Sequence, residues 1–320
     1  MNKKNLALGA GGAVVGLVAW KMLTRARTVD WADKIHHAAN SHFTEVDGAT
    51  IHYQEFGDAG DPTLILIHGY TASTYVWKTV APMLADAGFH VVAIDLPGFG
   101  YSDKPAWFEY TIASQARIVE RFMNRLAIGK ATIIGSSYGG AVASTLALDY
   151  AERVERLVLV GAVCNDEILD NPLLKLASIP VLGEVLTPFV LDSKALSKRR
   201  MKETFAPANQ HLVTDERVES VTRPLRAKDA HHSILASARS WDANRIQEDA
   251  HLINQPTLLV WGENDSVIPV RNGECLYDSM LNSRLVVLKD CGHLPQEEKP
   301  ERFVELVSEF CTDRKGRLEK

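Results

Sequence analysis

The sequence predicts an α/β protein: a doubly wound, mostly parallel eight-stranded sheet with a helical cap inserted after the sixth strand. Three observations predict it. Short apolar runs alternate with helix-periodic stretches from residue 44 to residue 160. The runs TLILI (63–67) and HVVAI (90–94) are continuously apolar, as strands covered on both faces must be. The alternation then breaks between about 164 and 250, where the chain reads as helical, and resumes at 256.

Taken in order, 44–46 and 50–56 read as two strands joined at Asp47-Gly48, a hairpin signal. Strand 63–67 leads to a helix over 75–87, which Gly88 is placed to end. Strand 90–94 is followed by the glycine- and proline-rich loop DLPGFGYSDKP. A helix over 112–126, a strand over 131–134, a helix over 138–150 and a strand over 154–160 complete a βαβα rhythm, whose crossovers demand parallel strands. Strands 256–261 and 284–288 and an amphipathic helix over 300–311 close the pattern. The intervening stretch is far too long for a structureless loop, so it reads as a cap over the sheet edge. The expected partition is an apolar anchor or signal segment (1–28), the first part of the core (40–163), the cap (164–250), the second part of the core (251–313) and a charged tail (314–320).

A chain of 320 residues with 46% hydrophobic and 23% charged residues is long enough for a sizeable core. Its net charge of -5 argues against a nucleic-acid partner, which needs a basic surface to displace phosphate counterions. The four cysteines, Cys164, Cys275, Cys291 and Cys311, form no C-x-x-C pair and read as reduced thiols, mostly in the core. Residues 6–20 are uncharged and flanked by Lys3, Lys4, Lys21 and Arg25. As a helix this run is roughly 22 Å long, and extension through Met22 and Leu23 brings it closer to the ~30 Å of a bilayer core. No A-x-A cleavage site and no lipobox cysteine follows, so membrane association through residues 6–23 is the expectation. Secretion or periplasmic release after cleavage is the alternative, and a buried globular helix is disfavoured by four glycines.

The chemistry is concentrated in Gly135-Ser136-Ser137-Tyr138-Gly139, a G-x-S-x-G set between a strand and a helix. A nucleophile elbow needs a sharp turn that lifts one hydroxyl above the sheet, with small flanking residues to relieve crowding. Ser137 occupies the central position. A serine hydroxyl attacks only if a base takes its proton, and His293, in a loop just beyond the last strand, is the best candidate among eleven histidines. Asp265 directly follows the preceding strand and is the carboxylate placed to orient that imidazole. Glu263 and Asp166 are weaker rivals, and Asp265 has an alternative reading as the cap of a helix starting near Val270. The backbone N–H groups of Tyr70 and Tyr138 are the expected oxyanion donors, with His68 holding the first of these loops in place. No metal or organic cofactor is implied.

Together with His68-Gly69, Asp95–Ser102, Gly262–Asp265 and Gly292-His293, this pattern resembles the α/β-hydrolase superfamily, in its capped serine-hydrolase branch, over residues 43–311. The resemblance implies a structural rather than catalytic role for Asp95–Ser102. Serine at 137, where epoxide hydrolases and haloalkane dehalogenases carry aspartate, speaks against both activities. The N-terminal apolar segment ahead of a capped hydrolase is similar to membrane-associated monoacylglycerol-lipase-like enzymes. The expected activity is therefore serine hydrolysis of a carboxylic ester of an apolar acyl group, with a small-molecule ester or lipid as partner. The alternatives are a carbon–carbon bond hydrolase using the same side chains, a ligand-binding receptor with negligible turnover, and a tethered interaction protein with a relict triad. Within the cap, 179–182 and 186–191 are apolar enough to line an acyl pocket or to form the cap's own core. The basic cluster at Lys198, Arg199, Arg200 and Lys202 reads as a solvated helix face, with anionic lipid headgroups as the alternative partner.

Overall fold

The computed structural model describes residues 33–313 apart from 171–174, 176–177 and 228, together with Gly16 alone in the N-terminal segment. Apart from Gly16, the expected anchor (6–23) lies outside the described residues, as does the tail 314–320. No helix among the described residues is long and apolar enough to cross a membrane.

Eight strands form one sheet: β1 (Ser41–Val46), β2 (Ala49–Phe56), β3 (Thr63–Ile67), β4 (His90–Ile94), β5 (Ala131–Ser136), β6 (Val154–Val160), β7 (Thr257–Gly262) and β8 (Ser283–Leu288). Their spatial order is β1-β2-β4-β3-β5-β6-β7-β8. β2 runs antiparallel to both β1 and β4, and every other pairing is parallel. Because side chains alternate across a strand, an all-apolar strand supplies both faces. Ile65 and Ile67 of β3 join one core cluster, while Leu64 and Leu66 join the cluster beneath. β7 divides likewise, with Leu259 and Trp261 on one side and Leu258 and Val260 on the other.

The structure departs from the sequence reading at several edges. β1 starts three residues before the expected strand, because Ser41, His42 and Phe43 continue the ladder opposite Gln54, Tyr53 and His52. β5 runs on to Ser136, straight into the G-x-S-x-G turn. The helix expected over 75–87 is two pieces, a 3₁₀ turn (Thr74–Trp77) and α1 (Val80–Asp86). Ser73 Oγ accepts from Tyr75 N and caps the first piece; Pro82, lacking an N–H, fits only within the first turn of the second.

The remaining core helices are α2 (Ile112–Arg125) and α3 (Tyr138–Asp149) before the insertion. Between β6 and β7 come α4 (Leu182–Asp192), α5 (Lys194–Thr204), α6 (Asp215–Leu225), α7 (Ala230–Arg239) and α8 (Asn244–Asp249), with no strand among the described residues. α9 (Val270–Ser279), α10 (Pro295–Glu298) and α11 (Pro300–Thr312) follow. The inserted helices lean on the sheet's carboxyl edge: Ser233 Oγ donates to Gly98 O at 2.8 Å and Tyr70 Oη donates to Ile234 O at 2.6 Å. Leu191, Leu225, Ala227, Ala230 and Ile234 form a small cluster against Tyr70. Ile179, Val181 and Leu182 are exposed and form no part of the cap's core, whereas Leu191 of the second apolar run is buried in that cluster. In the basic cluster, Lys198 pairs with Asp215 and Arg199 with Glu203, both on exposed helix faces.

Candidate active site

β5 ends at Ser136 and α3 begins at Tyr138, leaving Ser137 as the single residue of the turn. Its backbone sits at φ 54°, ψ -118°, a conformation that costs a non-glycine residue about 1–3 kcal/mol. The surroundings hold it there. Ser137 N donates to Val160 O at 2.9 Å, and Ser137 O accepts from Gly140 N at 2.9 Å and Val163 N at 3.1 Å. The turn is tight enough to demand glycine on both sides. A Cβ on Gly135 would meet Gly139 O at 2.2 Å, and one on Gly139 would meet Ile67 O at 2.3 Å. Ser136, as expected, faces elsewhere, accepting from Gln296 Nε2 at 3.3 Å.

Asp265 and His293 meet on adjoining loops after β7 and β8. His293 Nδ1–H donates to Asp265 Oδ2 at 2.8 Å. The other carboxylate oxygen accepts from Val267 N and Ile268 N, both at 2.9 Å. Asp265 therefore caps its own turn and not the helix at Val270, whose N-cap residue is Pro269. With its proton committed to Nδ1, the imidazole presents Nε2 as a proton acceptor. Gly161 lies against the pair: a Cβ there would stand 3.0 Å from Asp265 Oδ2 and 3.1 Å from His293 Nδ1. Its chain neighbour Val160 is the residue that receives the Ser137 N–H. The three side chains thus gather at the carboxyl ends of β5, β7 and β8. Among the described residues no hydrogen bond joins Ser137 Oγ to His293; in unliganded enzymes such bonds are often long and tighten around substrate. The rivals are elsewhere, Glu263 being exposed and Asp166 accepting from Ala243 N and Asn244 Nδ2.

The loop after β3 passes directly over the serine. A Cβ on Gly69 would lie 3.1 Å from Ser137 Cβ and 3.7 Å from Ser137 Oγ. The backbone N–H groups of Tyr70 and Tyr138 donate to no partner among the described residues. His68 fixes this loop: Nδ1–H donates to Gly69 O at 2.8 Å and Nε2 accepts from Leu96 N at 3.1 Å. Burial pulls its pKa below the usual histidine value, consistent with a neutral ring whose two nitrogens are both used.

Aromatic rings pack against Tyr70 and Tyr138, the two residues expected to supply the oxyanion donors. Trp241 stands 5.0 Å from Tyr138 and 5.6 Å from Tyr70, ring centroid to centroid, and Phe99 lies 5.7 Å from Tyr70. Of the three tryptophans whose spacing left their place open, Trp241 is at the site, Trp77 is packed on Phe303 in the lower core, and Trp107 is exposed. Phe99, within the loop 95–102, carries no local signal of its place beside Tyr70 beyond the glycines that flank it. All four cysteines are free thiols. Burial pushes Cys164 up to about 12 and Cys311 up to about 11, so neither offers a thiolate at neutral pH.

The family model described as the alpha/beta hydrolase fold matches residues 62–300. The chain belongs to the α/β-hydrolase fold family. Among curated proteins, it is 30% identical to a 2-hydroxy-6-oxononadienedioate/2-hydroxy-6-oxononatrienedioate hydrolase of Klebsiella pneumoniae, over 85% of this chain and 96% of that one. Among solved structures, the meta-cleavage product hydrolase of Pseudomonas fluorescens IP01 superposes with a TM-score of 0.72 at 26% identity, covering 85% of this chain and 97% of the other. A membrane phospholipase A described as a bacterial virulence factor superposes with a TM-score of 0.71 at 25% identity, covering 97% of this chain and 98% of its own.

Proposed function

We propose that this α/β hydrolase is a serine hydrolase acting through an acyl-enzyme, with Ser137 as nucleophile, His293 as general base and Asp265 as the orienting carboxylate. The observation that carries the reading is the Asp265–His293 hydrogen bond standing beside a serine held in a strained turn. Ser137 Oγ attacks the acyl carbon while His293 Nε2 takes its proton, and the oxyanion is received by the N–H groups of Tyr70 and Tyr138. The imidazolium then protonates the leaving group, the acyl–leaving-group bond breaks, and a water activated by the same imidazole releases the acid.

The substrate class we assign is a carboxylic ester of an apolar acyl group. Two observations support it. The side chains packed on Tyr70 and Tyr138 are aromatic, and the two buried Lys/Arg side chains among the described residues are both committed elsewhere. Lys104 Nζ donates to Gly100 O and Ser102 O at 3.0 and 2.8 Å, and Arg217 is paired with Glu297 at 2.7 Å. Neither buried cation is free to offset the desolvation of a substrate carboxylate, and the guanidinium whose charge reaches Tyr70, Arg200, is exposed. The correspondence with the membrane phospholipase A, over 97% of this chain, points the same way and accords with membrane association through residues 6–23.

Carbon–carbon bond hydrolysis of vinylogous diketones is the second reading. The names of the Klebsiella and Pseudomonas relatives carry that activity, and they favour it more directly than they favour ester cleavage. One panel separates the two: p-nitrophenyl esters of rising chain length, a monoacylglycerol, a phospholipid and a vinylogous diketone dienoate. The ester reading expects turnover of the acyl esters and little of the dienoate, and the opposite order replaces it with the second. Ser137→Ala should abolish turnover and fluorophosphonate labelling while leaving the fold intact; wild-type turnover in that variant removes the serine mechanism.

A further inference from the structure

The loop that carries His293 is fastened to the inserted helices at several points, and two of these fastenings meet on one carboxylate that also holds the loop's own N–H groups. Glu298, only 6% exposed, accepts on Oε1 from Gly292 N at 2.9 Å and Leu294 N at 3.4 Å, the two residues flanking the histidine. On Oε2 it accepts from Ala206 N and Asn209 Nδ2, both at 2.9 Å, just after α5. The same stretch reaches the site twice more through its backbone, His293 N donating to Thr204 O at 2.8 Å and Ser266 Oγ donating to Glu203 O at 2.7 Å. Asn209 also donates to Asp290 O at 2.9 Å. Residues 203–209 therefore act as a splint, bonded on one side to the loop of Asp265 and on the other to the loop of His293. The approach is close enough that a Cβ on Gly292 would meet Ala206 N and Thr204 O at 2.6 Å.

We propose that Glu298 is a positioning residue, whose carboxylate clamps the loop of His293 to the splint so that the imidazole stays aligned between Asp265 and Ser137. Four N–H donors and one buried carboxylate make a charge-assisted knot that no uncharged side chain of the same size reproduces. The neighbouring Glu297 makes a separate bond to the cap, a bidentate pair with Arg217 at 2.9 and 2.7 Å. Phe205, within the splint, packs with Val213 and Val218 and is stacked by the Arg217 guanidinium 4.8 Å from its ring centroid. Whatever seats the cap also seats the histidine. The inference rests on the triad reading above.

The test is Glu298→Gln in the full-length protein, which keeps the volume but turns an N–H donor pair towards N–H groups. Expected is a fall in kcat of about 10- to 100-fold with KM little changed, the signature of a misaligned base. Expected too is loss of the low-field proton resonance of the His293–Asp265 hydrogen bond. Leu306→Ala, in the buried face of α11, is the control for stability alone: it should lower the melting temperature while keeping both kcat and the resonance. Should E298Q not fold, Asn209→Ala removes one donor to the same carboxylate and should give a smaller effect of the same kind. Wild-type kcat and an intact resonance in E298Q overturn the proposal, as does equal loss in Leu306→Ala. If the wild type hydrolyses no ester at all, the ester reading fails, and the resonance still decides the role of Glu298.

Discussion

His52 and His293 each hold an aspartate through Nδ1, at 2.7 Å to Asp95 and 2.8 Å to Asp265. As isolated pairs they are almost indistinguishable; their surroundings differ completely. Asp95 sits in a sealed knot. Its oxygens also accept from Thr74 N at 2.6 Å and Tyr101 N at 2.8 Å, and both it and His52 are wholly buried. The Ser102 hydroxyl is spent in the same knot, donating to Asp95 O and accepting from His52 N. Asp265 uses one oxygen on its turn and one on an imidazole whose other nitrogen takes no hydrogen bond among the described residues. In the mechanism proposed above, an Asp–His pair serves as a base only where a hydroxyl outside its own knot stands within reach. Otherwise it is a staple between loops.

The largest expected effect breaks the pairs apart by function. His293→Ala should lower kcat by about 10⁴- to 10⁶-fold, and Asp265→Asn by about 10⁴-fold, in steady-state assays of whichever substrate the panel selects. Both should melt close to the wild type. Asp95→Asn should do the reverse, losing about 3 kcal/mol or more of stability in denaturant titration by stranding buried donors, while the folded fraction keeps its kcat. A large kcat loss there with unchanged stability would dissolve the distinction.

The smallest effect is a pH dependence of stability. Burial pushes Asp95 up, but the charge and hydrogen bond of His52, then His68 and Tyr101 N–H, more than offset it, leaving its pKa below the usual carboxylate value. Burial lowers His68. Both folded-state values therefore lie below the unfolded ones of 3.8 and 6.5. The stabilisation that His68 gives is full above 6.5 and declines as pH falls from there towards its lower folded value; that of Asp95 is full above 3.8 and is lost below. Melting temperatures measured downward from pH 7 should start to drop near 6.5, and His68→Gln should flatten the first step.

Much of the site was legible because its residues obey strong local rules. Gly135 and Gly139 are required by backbone contacts at 2.2 and 2.3 Å from their would-be Cβ atoms, so the elbow leaves a mark in the sequence. Asp265 and His293 stand directly after apolar strands, where a doubly wound sheet delivers its loops to one edge. Glu298 was not legible. Its partners Ala206 and Asn209 are 92 and 89 positions away, and nothing in an EEKPE stretch tells a buried clamp from a solvated helix end. The break between the 3₁₀ turn and α1 falls at Lys78-Thr79, and it leaves no mark because the apolar spacing continues across it.

By itself the sequence determined the order of strands and helices, the family, and which three side chains arrive at the sheet's carboxyl edge, because apolar periodicity and glycine crowding act over a few residues. Only the tertiary structure decided that Asp95 and His52 form a second, sealed Asp–His pair, which aromatic rings pack on Tyr70 and Tyr138, and which carboxylate joins the loop of His293 to residues 203–209. Those depend on contacts between segments dozens of positions apart, whose free energies leave no periodic trace along the chain.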